Sequence, residues 1–489
     1  MPEFTVDLAD ALDPLVLGVD VGSTASRGGL YDARGLPVRG HKHKVPHAFT
    51  TAVDGTSVID PEQVLTEVEQ IIDAVARRTL VGRIAGVALD TFASSLVGVD
   101  DAAVPRTPCF TYADSRCAPQ VAALRRELDE TDVQQRTGCR LHSSYLPARL
   151  RWLRETQPDV VAEVTRWLSL GEFLALRLTG RTAVGTAAAA WTGLLDRRTG
   201  TWDDHMLGVA GIGADSLSPV HHPDQPIGGT TSRWPALEGA AWFAVVADGY
   251  AANIGTGAST PDTVVASFAT SGAVRVRVPA DMPTMPPGLW CYRVDGANAL
   301  LGGALNDVGR AVGWLESTLR LDGVDLDGVL AADPDPATPM VLPFLSGERS
   351  TGWAAGARAV LDGVSAASTP ESLARGMLEG VALSYGRVVE ELTRVAPRPT
   401  AILASGRMSQ ALPQLLQLLA DVTGVPVTPV TIRRSTLHGT ALLALDTVAP
   451  GVERAAPTTA PTVEPVPARA DYYAERTERF TRLYRATVS

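Results

Sequence analysis

Cysteine is scarce, with four residues in a chain of 489 (Cys109, Cys117, Cys139 and Cys291) and no CxxC spacing. That supply is too small for a disulfide scaffold and points to reduced thiols in a cytoplasmic protein. Lysine is nearly missing. Of 43 Lys plus Arg, the lysines are Lys42 and Lys44, both in the segment His-Lys-His-Lys-Val-Pro-His. Neither follows a Gly-rich loop or precedes Ser or Thr, which excludes a Walker A loop. A pyridoxal Schiff base would have to form on one of these two, in a loop-like setting. Phosphate chemistry would then fall to backbone amides, hydroxyls, arginine and a metal. No run approaches the roughly 18 uninterrupted apolar residues of a membrane span. The acidic opening MPEFTVDLADALD has no basic-then-apolar run of a secretory signal. An excess of positive charge is also lacking: the net charge is −11, so neither nucleic acid nor an anionic membrane is an expected partner.

What the chain does have is an ordinary globular make-up, 45% hydrophobic and 20% charged, at a length that suggests two or three domains. Residues 15–31 (LVLGVDVGSTASRGGLY) run apolar into a tight Gly-Ser-Thr turn and return, which predicts a β-hairpin. Residues 264–278 (VVASFATSGAVRVRV) repeat the layout: an apolar strand, a turn of small residues, then a strand carrying an arginine. Two halves with one opening device predict a duplicated α/β domain with a cleft between its copies, and a seam near 257–263. Between them, 244–256 (AVVADGYAANIGT) reads as a strand, an Asp-Gly turn and a helix start. Helical patterns are expected at 119–128, 147–156, 306–320, 371–395 and 412–421, and a buried strand at 400–405. Residues 449–468 are rich in Pro, Ala and Thr and read as an extended linker. The tail 471–487 has Tyr and Phe at helical spacing and should pack back as an amphipathic helix.

Four segments carry chemistry. In Asp20-Val21-Gly22-Ser23-Thr24, the glycine lets backbone approach an anion, the Ser and Thr groups can cradle phosphate, and Asp20 can hold a hydrated Mg²⁺. Arg27, on the return strand, can neutralise phosphoryl charge. Asp248, at a strand end beside Gly249, can take a proton from a substrate hydroxyl. Residues 268–272 (FATSG) offer a second hydroxyl-rich turn with Thr270. Residues 402–407 (ILASGR) can pass a strand-to-helix turn beneath a nucleotide. Singly, each reads more readily as a common turn.

In this order, the four resemble the FGGY family of carbohydrate kinases. Further matching stretches are 302–306 (GGALN) leading to Trp314-Leu315, 345–350 (LSGERS) before Trp353, 373–384 (LARGMLEGVALS), 424–427 (GVPV) and 438–441 (HGTA). The resemblance runs from about Leu15 to Ala444. It implies an α/β fold of two duplicated ribonuclease H-like domains around an ATP cleft, shared by sugar kinases, actin and the heat-shock chaperone ATPases. The domains would be 15–257, with the sugar site, first phosphate motif and catalytic Asp, and 258–448, with the nucleotide site. A linker at 449–468 and a helix within 469–489 would follow. The implied activity is transfer of the γ-phosphoryl group of ATP to an alcohol, with Mg²⁺ as cofactor and a homodimer as the family-level expectation. Asp248 would be the catalytic base and, with Asp20, face the metal. Gly22, Ser23, Thr24, Arg27, Thr270, Gly309, Gly313, Gly406 and Arg407 would meet ATP and its phosphates. Two positions differ from the family's usual residues: Ala269 and Arg407 each stand where glycine is common.

For the sugar, the resemblance points to the loop 91–95 (TFASS), the segment 112–116 (YADSR) and the residues just after the base. Ser94, Ser95, Asp114, Tyr145 and Asp248 are therefore the expected substrate contacts. The stretch 137–153 (TGCRLHSSYLPARLRWL), with Gly347-Glu348-Arg349, looks most similar to gluconate kinases. A sugar acid needs a cation for its carboxylate, for which Arg116, Arg140, Arg149 and Arg349 are available. His142 can read a hydroxyl, and Trp191 can line the pocket. Gluconate is the first expectation, and xylulose or another pentulose or polyol the second. A catalytically silent sugar or nucleotide sensor on the same fold is the alternative from another class. A filament or chaperone ATPase would need a polymer surface or a peptide-binding module, and no extra domain is expected after the linker.

Overall fold

The computed structural model describes residues 4–258 and 260–488. Ser259, in the expected seam, and Ser489, at the end of the tail, lie outside them. The first sheet is built on β1 (Leu15–Val21), whose seven residues are all buried. An apolar strand of this kind belongs at the centre of a sheet covered on both faces. It pairs antiparallel with β2 (Ala25–Tyr31), which pairs with β3 (Pro37–Pro46). Helix α1 (Pro61–Val75) covers β2 and β3 and is started by Asp60, whose side chain accepts from the Glu62 amide. On the other side of β1 lies β4 (Ile84–Thr91), in parallel. Strand β4 is followed outward by the short β5 (Ala241–Trp242), and β6 (Val246–Ala247) also pairs with it. Helix α2 (Asp248–Gly255) then begins without a loop. The Asp-Gly pair read as a turn is thus the first turn of a helix, because a parallel strand end feeds directly into it.

The second sheet repeats the plan. Strands β7 (Thr263–Phe268) and β8 (Gly272–Pro279) form the central hairpin. After β9 (Trp290–Arg293), β10 (Asn298–Leu305) pairs with β8, as β3 pairs with β2. Helices α3 (Gly309–Thr318) and α4 (Pro370–Leu392) follow. Strand β11 (Ala401–Ser405) lies parallel to β7, as β4 does to β1. Helix α5 (Gln414–Thr423) leads to β12 (Val427–Pro429) at the sheet edge. The sheet orders β5-β4-β1-β2-β3 and β12-β11-β7-β8-β10 coincide, with β9 added to the second. Each half has its own core, one around Leu17, Val19, Ile71 and Val87, the other around Phe268, Val274, Leu301 and Tyr385.

Helix α6 (Ser435–Val448) follows the second sheet in sequence yet packs on β1, β4 and α2 of the first. The contact is close enough to demand glycine on both sides. A Cβ on Gly255 would stand 1.8 Å from the Ser435 carbonyl oxygen, and one on Gly439 1.8 Å from that of Ala251. Residues 449–468 run extended along the surface. Val463 bridges to Val427, and the Ala455 amide donates to the Arg34 carbonyl. Helix α7 (Ala470–Thr487) packs back on the second half through buried Tyr473 and Phe480. None of the described helices is long and apolar enough to cross a membrane.

Candidate active site

Three carboxylates meet at the carboxyl ends of neighbouring strands, where open α/β sheets form their crevices. Asp20 on β1 stands in register with Asp90 on β4, and Val246, two residues before Asp248, is also in register with Asp90. Asp20 is 7% exposed and Asp90 wholly buried. Burial pushes the Asp20 carboxyl up, against the pull of Arg27, whose Nη1 lies 3.3 Å from Oδ2. Asp90 is pushed up further, by burial and then by the charge of Asp20. Its Oδ2 accepts from the Thr440 hydroxyl of α6 at 2.5 Å, and its Oδ1 is buried without a partner. Nothing in the apolar run IAGVALD singled Asp90 out; its meaning comes from the register with Asp20.

Asp248 is pushed up to about 6 by burial, with the Arg275 guanidinium pulling down and Asp20 pushing up. Its Oδ1 accepts from the Gly249 amide at 2.7 Å, which fixes the rotamer. A carboxylate so tuned can accept a proton near neutrality. Arg275 on β8 lines the same cavity, and its Nε is buried without a partner. It appears in the sequence only as the arginine of the second repeat; the register turns it toward Asp248.

The two hydroxyl-rich turns sit beside these carboxylates. Gly22 and Ser23 are half-buried and Thr24 exposed, and Arg27 Nη2 reaches 3.5 Å from the Thr24 hydroxyl. In the second hairpin Ala269, Thr270 and Ser271 are exposed. The start of α3 folds onto this turn: the Gly309 amide donates to the Ala269 carbonyl and the Arg310 amide to that of Thr270. Gly406 closes on the same place from β11. Its φ of 105° lies in the left-handed region, and a Cβ there would stand 2.4 Å from the Phe268 carbonyl oxygen. Thr270, Gly309 and Gly406 are thus gathered at the end of β7. Gly313, one helical turn on, faces open space. Arg407 is exposed, with no hydrogen-bond or ion-pair partner among the described residues.

A cavity of about 230 Å³ lies between the halves. Asp248, Ser94 and Tyr112 line it from the first sheet's side, Ser271, Arg275 and Arg349 from the second's. Trp191, Tyr292 and Trp290 make an aromatic wall, with ring centres 3.8 Å apart for Trp191 and Tyr292 and 4.5 Å for Trp290 and Tyr292. Tyr145 also lines the cavity, its hydroxyl 2.6 Å from that of Tyr292. His142 is pushed down to about 4 by burial and by Arg349. Its Nδ1 accepts from the Ser144 amide at 3.1 Å, so the neutral ring keeps its proton on Nε2, free to donate to a hydroxyl.

Two expected substrate contacts face elsewhere. Ser95 is buried and its hydroxyl accepts from the Leu170 amide. Asp114 is buried in an ion pair with Arg116 at 2.7 Å and accepts from the Ser57 amide. Neither lines the cavity. Of the four arginines available for a carboxylate, Arg116 is thereby occupied and Arg140 pairs with Glu130 at 2.5 Å. Arg149 is fully buried and donates to the carbonyls of Ser94, Thr111, Asp114 and Ser143. Arg349 alone of the four lines the cavity, and its guanidinium has no hydrogen-bond or ion-pair partner among the described residues.

The donor set suits a hard divalent cation that keeps most of its water and is shared with phosphates. Such an ion needs one or two protein carboxylates rather than a cage. Asp20 and Asp248 are the carboxylates available for such a role, and no group of three or more acidic, His or Cys ligands is poised for a metal among the described residues.

Duplicated sheets, paired hydroxyl-rich turns and a strand-end carboxylate facing an aromatic, polar cavity are the layout of the two-domain sugar-kinase fold, an actin- and hexokinase-like ATPase fold. Residues 15–255 match the N-terminal domain model of the FGGY family of carbohydrate kinases, and residues 268–447 the C-terminal one. The chain belongs to that family and is an ATP-dependent phosphotransferase acting on a sugar hydroxyl. It is 23% identical to the gluconokinase of Bacillus subtilis (strain 168) over 420 residues, 81% of this chain and 80% of the other. The solved gluconate kinase and the ligand-bound xylulose kinase of Lactobacillus acidophilus both superpose with a TM-score of 0.90 at 25% identity. Each superposition covers 96% of this chain and 98% of the other.

Proposed function

We propose that the chain phosphorylates gluconate, or a closely related sugar acid, with Mg·ATP. The observation that carries this reading is Arg349, a guanidinium in the sugar cavity without an acceptor of its own. A carboxylate is the group its planar fork matches best. The aromatic wall would offer apolar faces to the sugar carbons, His142 Nε2 would donate to a hydroxyl, and the Ser94 oxygen, whose proton goes to the Trp191 carbonyl at 2.6 Å, would accept from one. Asp248 takes the proton from the hydroxyl that attacks, and Arg275 keeps Asp248 ionised until then. Gly22–Thr24 with Arg27, and Thr270 with Gly309 and Gly406, hold the phosphates from the two sides. Asp20 and Asp248 would hold Mg²⁺, which supplies neutralisation of charge on the transferring phosphoryl group. Phosphoryl transfer of this kind rests on positioning and charge stabilisation, which agrees with a site that has no lysine. Closure of the two halves would keep water from the nucleotide.

Xylulose is the competing substrate, favoured by the equal superposition on the xylulose kinase. A coupled ADP-release assay with Mg·ATP over gluconate, other aldonates, xylulose, ribulose and glycerol separates the two. The reading expects kcat/KM highest for gluconate or another aldonate; a highest value for a neutral ketose or polyol contradicts it.

A further inference from the structure

Strand β3 leads directly into His47, a histidine to which the reading above gives no part. Its side chain is wholly buried behind the turn Gly22–Thr24. Nε2 lies 2.8 Å from the Gly22 carbonyl oxygen and Nδ1 2.7 Å from Glu67 Oε2 on α1. The backbone amide of His47 donates to the Thr24 carbonyl at 3.1 Å. Glu67 is itself held by the Ser26 hydroxyl at 2.7 Å and the Gln63 amide at 2.9 Å. One histidine therefore grips the turn at both ends, and α1 grips the histidine.

The partners of the ring fix its state. A carbonyl and a carboxylate both accept, so both ring nitrogens donate and His47 is an imidazolium paired with ionised Glu67. The directions of titration agree. Burial pushes His47 down, but its bonds to Glu67 and Gly22 outweigh this and raise it, while bonds from His47, Ser26 and Gln63 lower Glu67 against burial.

The consequence lies on the other side of the peptide. In a trans peptide the C=O and the following N–H point in opposite directions. With the Gly22 carbonyl held by His47, the Ser23 N–H is turned away from His47. The amides of Ser23 and Thr24 have no acceptor among the described residues. They are donors left open at the mouth of an anion-binding turn.

We propose that His47 is a positioning residue for the first phosphate turn: it clamps the carbonyls of Gly22 and Thr24 so that the turn presents its free amides to the nucleotide's phosphates. The clamp pre-organises the turn, so its loss is felt as nucleotide affinity. Calorimetric titration of the full chain with Mg·ATP tests this without any sugar. His47→Ala is expected to weaken Kd roughly tenfold, the worth of about one lost hydrogen bond to the turn. His47→Gln, whose amide can still donate to the Gly22 carbonyl, should stay within about threefold. A purely structural role predicts instead a lower Tm with unchanged Kd in the protein that remains folded, and that result overturns the proposal. Should His47→Ala fail to fold, Glu67→Gln removes the charged partner alone and must also weaken Mg·ATP binding; wild-type affinity there is equally fatal. In the wild type at neutral pH, ¹⁵N spectra should show one histidine protonated on both nitrogens and absent in His47→Gln. A neutral His47 ring with its proton on Nδ1, which leaves Nε2 no hydrogen for the Gly22 carbonyl, contradicts the clamp.

Discussion

Asp20 and Asp90 face each other in register across parallel strands β1 and β4, and Thr440 of the distant helix α6 donates to Asp90 at 2.5 Å. Two acids cannot both ionise cheaply in such a place. Asp90, the more deeply buried, is pushed up further than Asp20, which has Arg27 beside it.

That relationship sets a stability dependence on pH. In the unfolded chain Asp90 ionises near its ordinary 3.8. In the folded chain it holds its proton to higher pH, so above pH 4 the folded state binds more protons and its stability falls as pH rises. Asp90→Asn keeps an oxygen for Thr440 and has no proton to lose. Thermal melts should show its Tm advantage over wild type growing as pH rises above 4. An advantage that shrinks over that range contradicts the assignment.

Asp248 works as a base only when ionised, so kcat should fall about tenfold per pH unit below its pKa of about 6. Arg275 favours the ionised form. Removing it in Arg275→Met should move this acid limb to higher pH. A limb that stays in place, read from kcat profiles of the two proteins, would detach Arg275 from Asp248.

Arg349→Ala should raise KM for gluconate roughly tenfold to a hundredfold, the worth of a charge-assisted hydrogen bond. KM for ATP should stay within about twofold. Equal losses for gluconate and for a neutral polyol would show that Arg349 does not read a carboxylate.

The tail helix holds the neighbour of Arg349. Tyr484 of α7 donates to Glu348 Oε2 at 2.5 Å, and Arg387 lies 3.9 Å over its ring while pairing with Glu348 at 3.0 Å. Glu348 precedes Arg349. Tyr484→Phe should lower Tm and raise KM for the sugar several-fold, with KM for ATP unchanged. Steady-state kinetics with each substrate varied in turn checks this; unchanged KM for both would confine the tail to stability.

Much of the fold was legible because the two hairpins write their signature locally, with an apolar run, small turn residues and a return strand in each. The tail helix was equally plain from its aromatic spacing. Asp248 was legible as a strand-end acid beside glycine, although the Asp-Gly pair looked like a turn and is the start of α2. What stayed hidden depends on partners far away in sequence. Asp90 is one more residue of an apolar strand until β1 is laid beside it. Arg275 is a strand arginine until α2 brings Asp248 opposite. Conversely, Asp114 has the chemistry of a sugar ligand, but Arg116, two residues on, occupies it. Arg149 has that of a carboxylate reader, but four carbonyls surround it. Side-chain type announces these groups, and only the packing decides which are free.

The central claim, that Asp248 takes the proton of a sugar acid's hydroxyl, is tested most directly by gluconate-dependent ADP release from wild type and Asp248→Asn in parallel. Binding of gluconate would be followed by tryptophan fluorescence. The account predicts turnover in the wild type and a loss of several orders of magnitude in kcat for the variant, with gluconate still bound. Near-normal turnover by Asp248→Asn, or a wild type that binds gluconate and never releases ADP, would contradict it.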